Sequence, residues 1–317
     1  MSSPSAAVVP STGLWRRVFS GTPTVRGWVG VLAYVALVLV GFEVQGKLLK
    51  AWLPGMRGIP LYVLTRVLQL AEILLFAWIA SRLERRSFAD YGLPWRPALR
   101  ARFWQGAAFG IASLSAIVLT LSALGGLRLA LPSQVGPEAL VVGAGYLLLF
   151  IVLGLREEFL YRGYGLSTLG RNIGFWPAAV IWSGWFMASH ANNSGETALG
   201  LATVGLFGLL ACLLLRLTGN LWMPIGFHAA WNWGQTFLFG VSDSGHAAAP
   251  GHFFTASVSK DAPGWLSGGP TGPEGSALCV ALIATLILGL ALHRPQAPES
   301  PRYPREESTE PTPPPGA

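Results

Sequence analysis

The stretch "LLLFIVLGLREEFLYR", Leu147–Arg162, sets an apolar run directly against Arg156, Glu157, Glu158 and Arg162. A hydrocarbon core of roughly 30 Å takes about 20 apolar helical residues to cross, and runs of this grade recur along the chain. They lie near Trp28–Val44, Leu61–Ala80, Phe103–Leu127, Ala139–Leu155, Phe175–Ser189, Ala198–Leu217, Leu221–Phe239 and Ser276–His293. Of the 317 residues 52% are hydrophobic and 12% charged, and the mean hydropathy is +0.48. A soluble core has no use for so many long runs, and a barrel would show short alternating segments instead. The reading is an all-α, polytopic membrane helix bundle with about eight transmembrane helices.

The rest of the chain follows from that frame. Arg16, Arg17 and Arg26 precede the first run; Arg82, Arg85, Arg86, Arg96, Arg100 and Arg102 lie between the second and third; Arg216, Arg294, Arg302 and Arg305 sit near later boundaries. By the positive-inside bias these put both termini and the Arg82–Arg102 loop in the cytoplasm of an integral protein of the plasma membrane, although Lys47, Lys50 and Arg57 fall on the other side. The net charge of +7 is thus read as topology, not as a nucleic-acid surface, and no nucleotide or nucleic-acid motif is present. No small-residue cleavage site follows the first run, which reads as a retained span. Cys212 and Cys279 both fall in apolar runs, which argues against a disulfide. The layout expected is a disordered cytoplasmic segment at 1–25, N-terminal helices and a basic loop at 26–138, a core at 139–239, a Gly/Pro-rich external loop at 240–275, a last span at 276–294 and a disordered Pro-rich tail at 295–317.

The charged cluster divides by spacing. Glu158 and Arg162 are four apart with the acid N-terminal, the favourable orientation for an ion pair on one helical face. Glu157 is rotated about 100° away, with only Tyr161 one turn on, and reads as an unpaired carboxylate, which inside a membrane is a functional hypothesis by default. The bland alternative is an interfacial cap. Two further stretches weigh against it: "FMASH" ends at His190, and "HAAWN" puts His228 and Asn232 four apart. A turn at "RNIG", Arg171–Gly174, is equidistant from Glu157 and His190, so an antiparallel pair brings them to similar depth. His228 would lie roughly 10 Å from the inner end of its helix, placing all three in the cytoplasmic half, with a cavity open to the cytoplasm.

"EEFLYR", "FMASH" and "HAAWN" match, in order, the E-E-x-x-x-R, F-x-x-x-H and H-x-x-x-N motifs of the CPBP intramembrane proteases, the family of CAAX prenyl endopeptidases and bacteriocin-processing or immunity proteins. The resemblance covers about Ala139–Phe239. It implies an intramembrane endopeptidase acting on a membrane-associated protein or peptide, a CAAX tail being one case. It also implies that Glu157 activates a water with help from His190, that His228 and Asn232 stabilise the oxyanion, that Glu158 and Arg162 hold the helix, and that Phe186 packs the site wall.

The same atoms read another way: Glu157, His190 and His228 are the O, N and N ligands of an open zinc site, if a metal is used, though H-E-x-x-H is absent. Two other readings remain: a non-catalytic immunity or scaffold protein of the same family, and a proton-coupled transporter, against which the lack of paired broken helices counts. Glu72, mid-span, is expected to pair with Arg66 or a neighbouring span. His246 and His252, with no acidic or Cys partner at ligand spacing, are read as solvated loop residues.

Overall fold

Nine helices organise the described residues of the computed structural model, which are 23–130, 136–246 and 251–292. They are α1 (Pro23–Trp52), α2 (Gly58–Glu84), α3 (Ala101–Ala123), α4 (Pro137–Arg162), α5 (Tyr164–Ile173), α6 (Phe175–His190), α7 (Ala198–Thr218), α8 (Trp222–Trp233) and α9 (Ala277–Leu292), with a single helical turn at Gly264–Ser267. The expected tail at 295–317 and nearly all of the segment at 1–25 lie outside the described residues.

The fold is an all-α membrane bundle, but the tally of spans differs from the sequence reading. Among the described residues five stretches are long and apolar enough to cross a bilayer: Val25–Trp52, Gly58–Glu84, Ala101–Ala123, Glu138–Ile173 and Ala198–Thr218. The runs read at Phe175–Ser189, Leu221–Phe239 and Ser276–His293 form shorter helices; α6 and α9 have 16 residues each, and α8 has 12 before passing into a π-helical segment, Gly234–Phe239. At 1.5 Å per residue a 16-residue helix reaches only about 24 Å, so these elements are seated among longer neighbours. The stretch Glu138–Ile173 is 36 residues long because α5 continues α4 past Gly163. Gly163 has no room for a side chain, since an added Cβ would meet the Phe159 carbonyl and ring. Gly174, at φ 90°, then turns the chain from α5 into α6 where the turn was expected.

Two features hold the bundle around α8. Gly106 and Gly110 on α3 face the α8 backbone at Met223 and Phe227, while Gly226 on α8 faces the Phe103 carbonyl, so α3 and α8 meet backbone to backbone. Without water to drive association, membrane helices pack by such small-residue contacts. Behind them α7 is the most buried of the long apolar helices, packing on α6 and α9.

The segment 240–275 was expected to be unpacked, and it is not. Beyond 247–250, which lie outside the described residues, Thr255–Val258 pairs antiparallel with Leu127–Ala130, Leu127 facing Val258 and Ala130 facing Thr255. Leu127 therefore belongs to this ribbon and not to the third span. Further on, Gly268 (φ 81°) and Gly272 (φ 88°) make tight turns that bury Thr271, Glu274 and Ser276. The Gly/Pro content that signalled a loose loop instead supplies left-handed turns that other residues resist.

Candidate active site

Glu158 is the deepest charged residue of the expected set, with its side chain fully buried. Its Oε1 accepts from Arg162 Nη1 at 3.3 Å and from His228 Nδ1 at 2.8 Å. The first bond is the i, i+4 pair read from spacing. The second crosses from α4 to α8 and was not read. A carboxylate can only accept there, so Nδ1 carries the proton and Nε2 is left to face the cavity. That Nε2 stands 3.8 Å from Glu157 Oε2, beyond a direct hydrogen bond.

Glu157 is not unpaired, contrary to the sequence reading. Its Oε1 accepts from Arg156 Nη1 at 2.9 Å, the guanidinium of the neighbouring residue folding back over the helix. Tyr161, the partner first considered, donates instead to Ser189 Oγ at 2.8 Å. A helical-wheel argument compares residues three and four apart and overlooks a long side chain at the adjacent position.

His190 ends α6, and its Nδ1 lies 2.8 Å from the Phe186 carbonyl, which again fixes the proton on Nδ1 and leaves Nε2 as acceptor. Phe186 packs its ring against both histidines, with centroids 4.5 Å from His190 and 6.3 Å from His228, while the Arg162 guanidinium sits 4.4 Å over its face. That contact adds a cation–π attraction to the buried ion pair. Phe207 on α7 closes the other side of His228 at 5.0 Å.

Glu157, Phe186, His190, His228 and Asn232 all line one cavity of about 320 Å³. Glu158 and Arg162 stand behind its wall. The equidistance argument therefore holds for Glu157 and His190. Sequence reasoning missed Tyr62 and Arg66 from α2, and Asp243, Ser244, His246 and Glu274 from the 240–275 segment, all of which also line the cavity. Glu274 ties that segment to α8: its Oε1 accepts from Trp231 Nε1 at 2.8 Å, and its Oε2 from the Ser244 amide and hydroxyl at 2.9 and 2.8 Å. Burial, and then the charges of Glu274 and Glu157, push the Asp243 carboxyl well above the usual carboxylate range. His246 is exposed at the cavity rim, not a bystander in a distant loop. An Arg inside an apolar span was the one sequence signal among these residues, and it was read as a partner for Glu72. Instead Arg66 donates to Gln69 Oε1 at 3.1 Å, and Glu72 keeps one carboxylate oxygen buried without a partner.

The cavity does not open where the sequence placed it. Its outer residues, Ser189, Asn193, Ser244 and His246, lie at the end of the bundle formed by 191–197 and 241–246. The Arg82–Arg102 segment is at the other end, where the Leu221 amide donates to Gly92 O, Trp222 Nε1 to Pro94 O, and Arg86 to Thr168 and Ser167. The reason is the length of the fourth span. Because α5 extends it to Ile173, Glu157 stands near its middle and not at its end.

Glu157, His190 and His228 line one cavity, but among the described residues no three His, Cys, Asp or Glu side chains are placed to hold a metal ion.

The buried triad generates a stability prediction. Glu158→Gln should cost about 3–5 kcal/mol by stranding Arg162 in an apolar interior, whereas Glu158→Leu with Arg162→Met should cost less. Thermal melts in detergent compare the two. A double variant at least as damaged as the single one would contradict the pairing.

Residues 137–234 match the family model described as Rce1-like, type II CAAX prenyl endopeptidase Rce1-like. Neither the search of curated proteins nor that of solved structures returned a match. The matched segment is less than half of the chain; it begins with α4, ends just past α8, and holds Glu157, Glu158, Arg162, Phe186, His190, His228 and Asn232. Over that segment the chain is similar to the Rce1-like family of type II CAAX prenyl endopeptidases.

Proposed function

We propose that the protein is an intramembrane endopeptidase that hydrolyses a peptide bond of a membrane-associated protein or peptide, with Glu157 as the general base. The observation that carries this reading is the convergence of Glu157, His190, His228 and Asn232 on one cavity of about 320 Å³, behind which Glu158 holds the His228 Nδ1–H. A water in the cavity gives a proton to Glu157 as its oxygen attacks the carbonyl carbon. The His190 Nε2 lone pair takes a second hydrogen bond from that water and orients it. The negative charge that develops on the carbonyl oxygen is met by the Asn232 amide N–H and, with the His228 imidazole protonated on both nitrogens, by its Nε2–H while the Nδ1–H stays on Glu158. Glu157 then passes its proton to the leaving amine, the C–N bond breaks, and the products are a carboxylic acid and an amine.

Arg156 holds Glu157 by a charge-assisted bond and so keeps its second oxygen turned to the cavity. Glu157→Gln should lower turnover by about 10²–10⁴-fold without loss of folding, because the amide cannot take the proton. A purified Glu157→Gln protein that cleaves a membrane peptide at a near-normal rate sinks this assignment.

The placement of the cavity supports an orientation too. Arg82, Arg85, Arg86, Arg96, Arg100 and Arg102 gather at the end away from the cavity mouth, and Arg171 and Arg216 sit at that same end, Arg216 stacking on Phe175 at the start of α6. With that end cytoplasmic, the site opens on the opposite face of the plasma membrane, and its substrates reach it from there. In a background of Cys212→Ala and Cys279→Ala, a membrane-impermeant maleimide should label His246→Cys in intact cells, and Arg96→Cys only in inside-out vesicles. The reverse pattern would put the site on the cytoplasmic face.

A further inference from the structure

We propose that the α1–α2 face of the bundle docks a second membrane protein, through a spanning helix that carries one lysine within its apolar run. The site is a groove of about 540 Å³ between the two helices, lined by Gly41, Val44, Gln45 and Leu48 of α1 and by Leu68 and Glu72 of α2. It is separate from the active-site cavity. Ile59, Tyr62 and Arg66 line that cavity, and at 3.6 residues per turn Leu68, Glu72, Leu75 and Ile79 lie roughly 140° away around α2. The docking does not depend on the endopeptidase reading.

The groove holds acceptors with no donor to meet them. Glu72 Oε1 and Gln45 Oε1 are both buried without a hydrogen-bond partner. Gln45 spends its amide N–H on Thr65 O at 3.0 Å. Among the described residues no Lys, Arg or His forms an ion pair with Glu72. Lys47 of α1 pairs with Glu43 at 3.2 Å, and Arg66 of α2 donates to Gln69. Tyr34 feels the Glu72 charge, but its hydroxyl makes no hydrogen bond either. Gly41 gives the carboxylate its place, because an added Cβ there would overlap Glu72 Oε1. The acid thus sits in a notch of α1 at membrane depth, where a charge is costly unless an opposite charge meets it.

Depth and shape say what brings that charge. Glu72 stands roughly 20 Å from either end of α2 at 1.5 Å per residue, deeper than a lipid headgroup sits. On α1 Leu37, Val44 and Leu48 are exposed, and on α2 so are Leu68, Leu75 and Ile79 on either side of Glu72. Their spacings of four, three and seven put each set on one helical face. Two apolar ridges flanking one carboxylate fit the side of another helix, since membrane helices associate by close packing with a polar contact as glue. A lysine in that helix supplies a cation with three donors, enough for both unpartnered oxygens.

Docking is read on the full-length protein in phosphatidylcholine vesicles, with a fluorophore at its C-terminus. The probe is a dye-labelled Leu/Ala peptide of about 20 residues, long enough to span, with a central Lys; the control has Leu there. Energy transfer should show the Lys peptide associating about 3- to 20-fold more tightly, the scale of polar contacts between membrane helices. Glu72→Gln should remove that preference and leave the Leu peptide unchanged, and Glu72→Lys should transfer it to a peptide with a central Glu. Equal association of the Lys and Leu peptides, or a preference that survives Glu72→Gln, overturns the proposal. A second measurement keeps Glu72 intact. In a background of Cys212→Ala and Cys279→Ala, Val44→Cys should form a disulfide with a Cys one turn from the peptide's Lys, and Leu119→Cys, exposed on α3, should not. Equal cross-linking at both positions, or none at Val44→Cys, overturns the assignment of the groove. Loss of the Lys preference in phosphatidylethanolamine vesicles would make a lipid amine the occupant and overturn the helix. Energy transfer between two labelled copies of the protein that Glu72→Gln abolishes would do the same in favour of a second copy.

Discussion

A single carboxylate oxygen, Glu158 Oε1, is shared by Arg162 on its own helix and His228 on α8. Everything that makes the site a site depends on that shared acceptor. It joins the helix that carries Glu157 to the helix that carries His228 and Asn232, and it decides which nitrogen of His228 faces the cavity. A buried carboxylate is expensive, and it persists here because a guanidinium and an imidazole N–H both meet it. The Arg162 cation is in turn covered by the Phe186 ring, so α6 is tied to the same group. One ion pair thereby fixes three helices relative to one another.

The remaining supports converge on α8 from the other sides. The bare backbone of Gly226 lies against Phe103 on α3, two residues before His228. Trp231, one residue before Asn232, is held by Glu274 from the segment that follows the helix. His228 and Asn232 are thus pinned by contacts that stand immediately beside them in sequence. This rigidity matters because an oxyanion donor is useful only if it is already in position when charge develops.

Much of this could be read from the sequence, and the misses have identifiable causes. The membrane bundle follows from run length and hydropathy alone. The Glu158–Arg162 pair follows from i, i+4 geometry, and the joint depth of Glu157 and His190 from their equal distance to the turn at Gly174. Three other expectations failed for physical reasons. Glu157 found Arg156 because a guanidinium can fold back along the helix to its immediate neighbour. The cavity mouth was placed at the wrong end because α5 lengthens the fourth span beyond the last apolar residue. The segment 240–275 was taken as loose because glycine and proline mark both disorder and tight turns. Only the three-dimensional contacts of Thr271, Glu274 and Ser276 tell the two apart. Arg66 was visible as a charge inside a span, but nothing in one sequence says that it faces the cavity of Glu157.

The central claim is that Glu157 activates a water and does not itself attack the peptide carbonyl. A single-turnover reaction in H₂¹⁸O, with enzyme in excess over peptide, tests this directly by mass spectrometry of the N-terminal product. If water is the nucleophile, the new carboxyl group gains one oxygen at the full isotopic enrichment of the solvent, and tryptic peptides containing Glu157 stay unlabelled. If Glu157 attacks first and its acyl intermediate is hydrolysed at the glutamyl carbon, the first product emerges with an unlabelled oxygen from the enzyme, and the label appears in Glu157 instead. That second result would contradict the account.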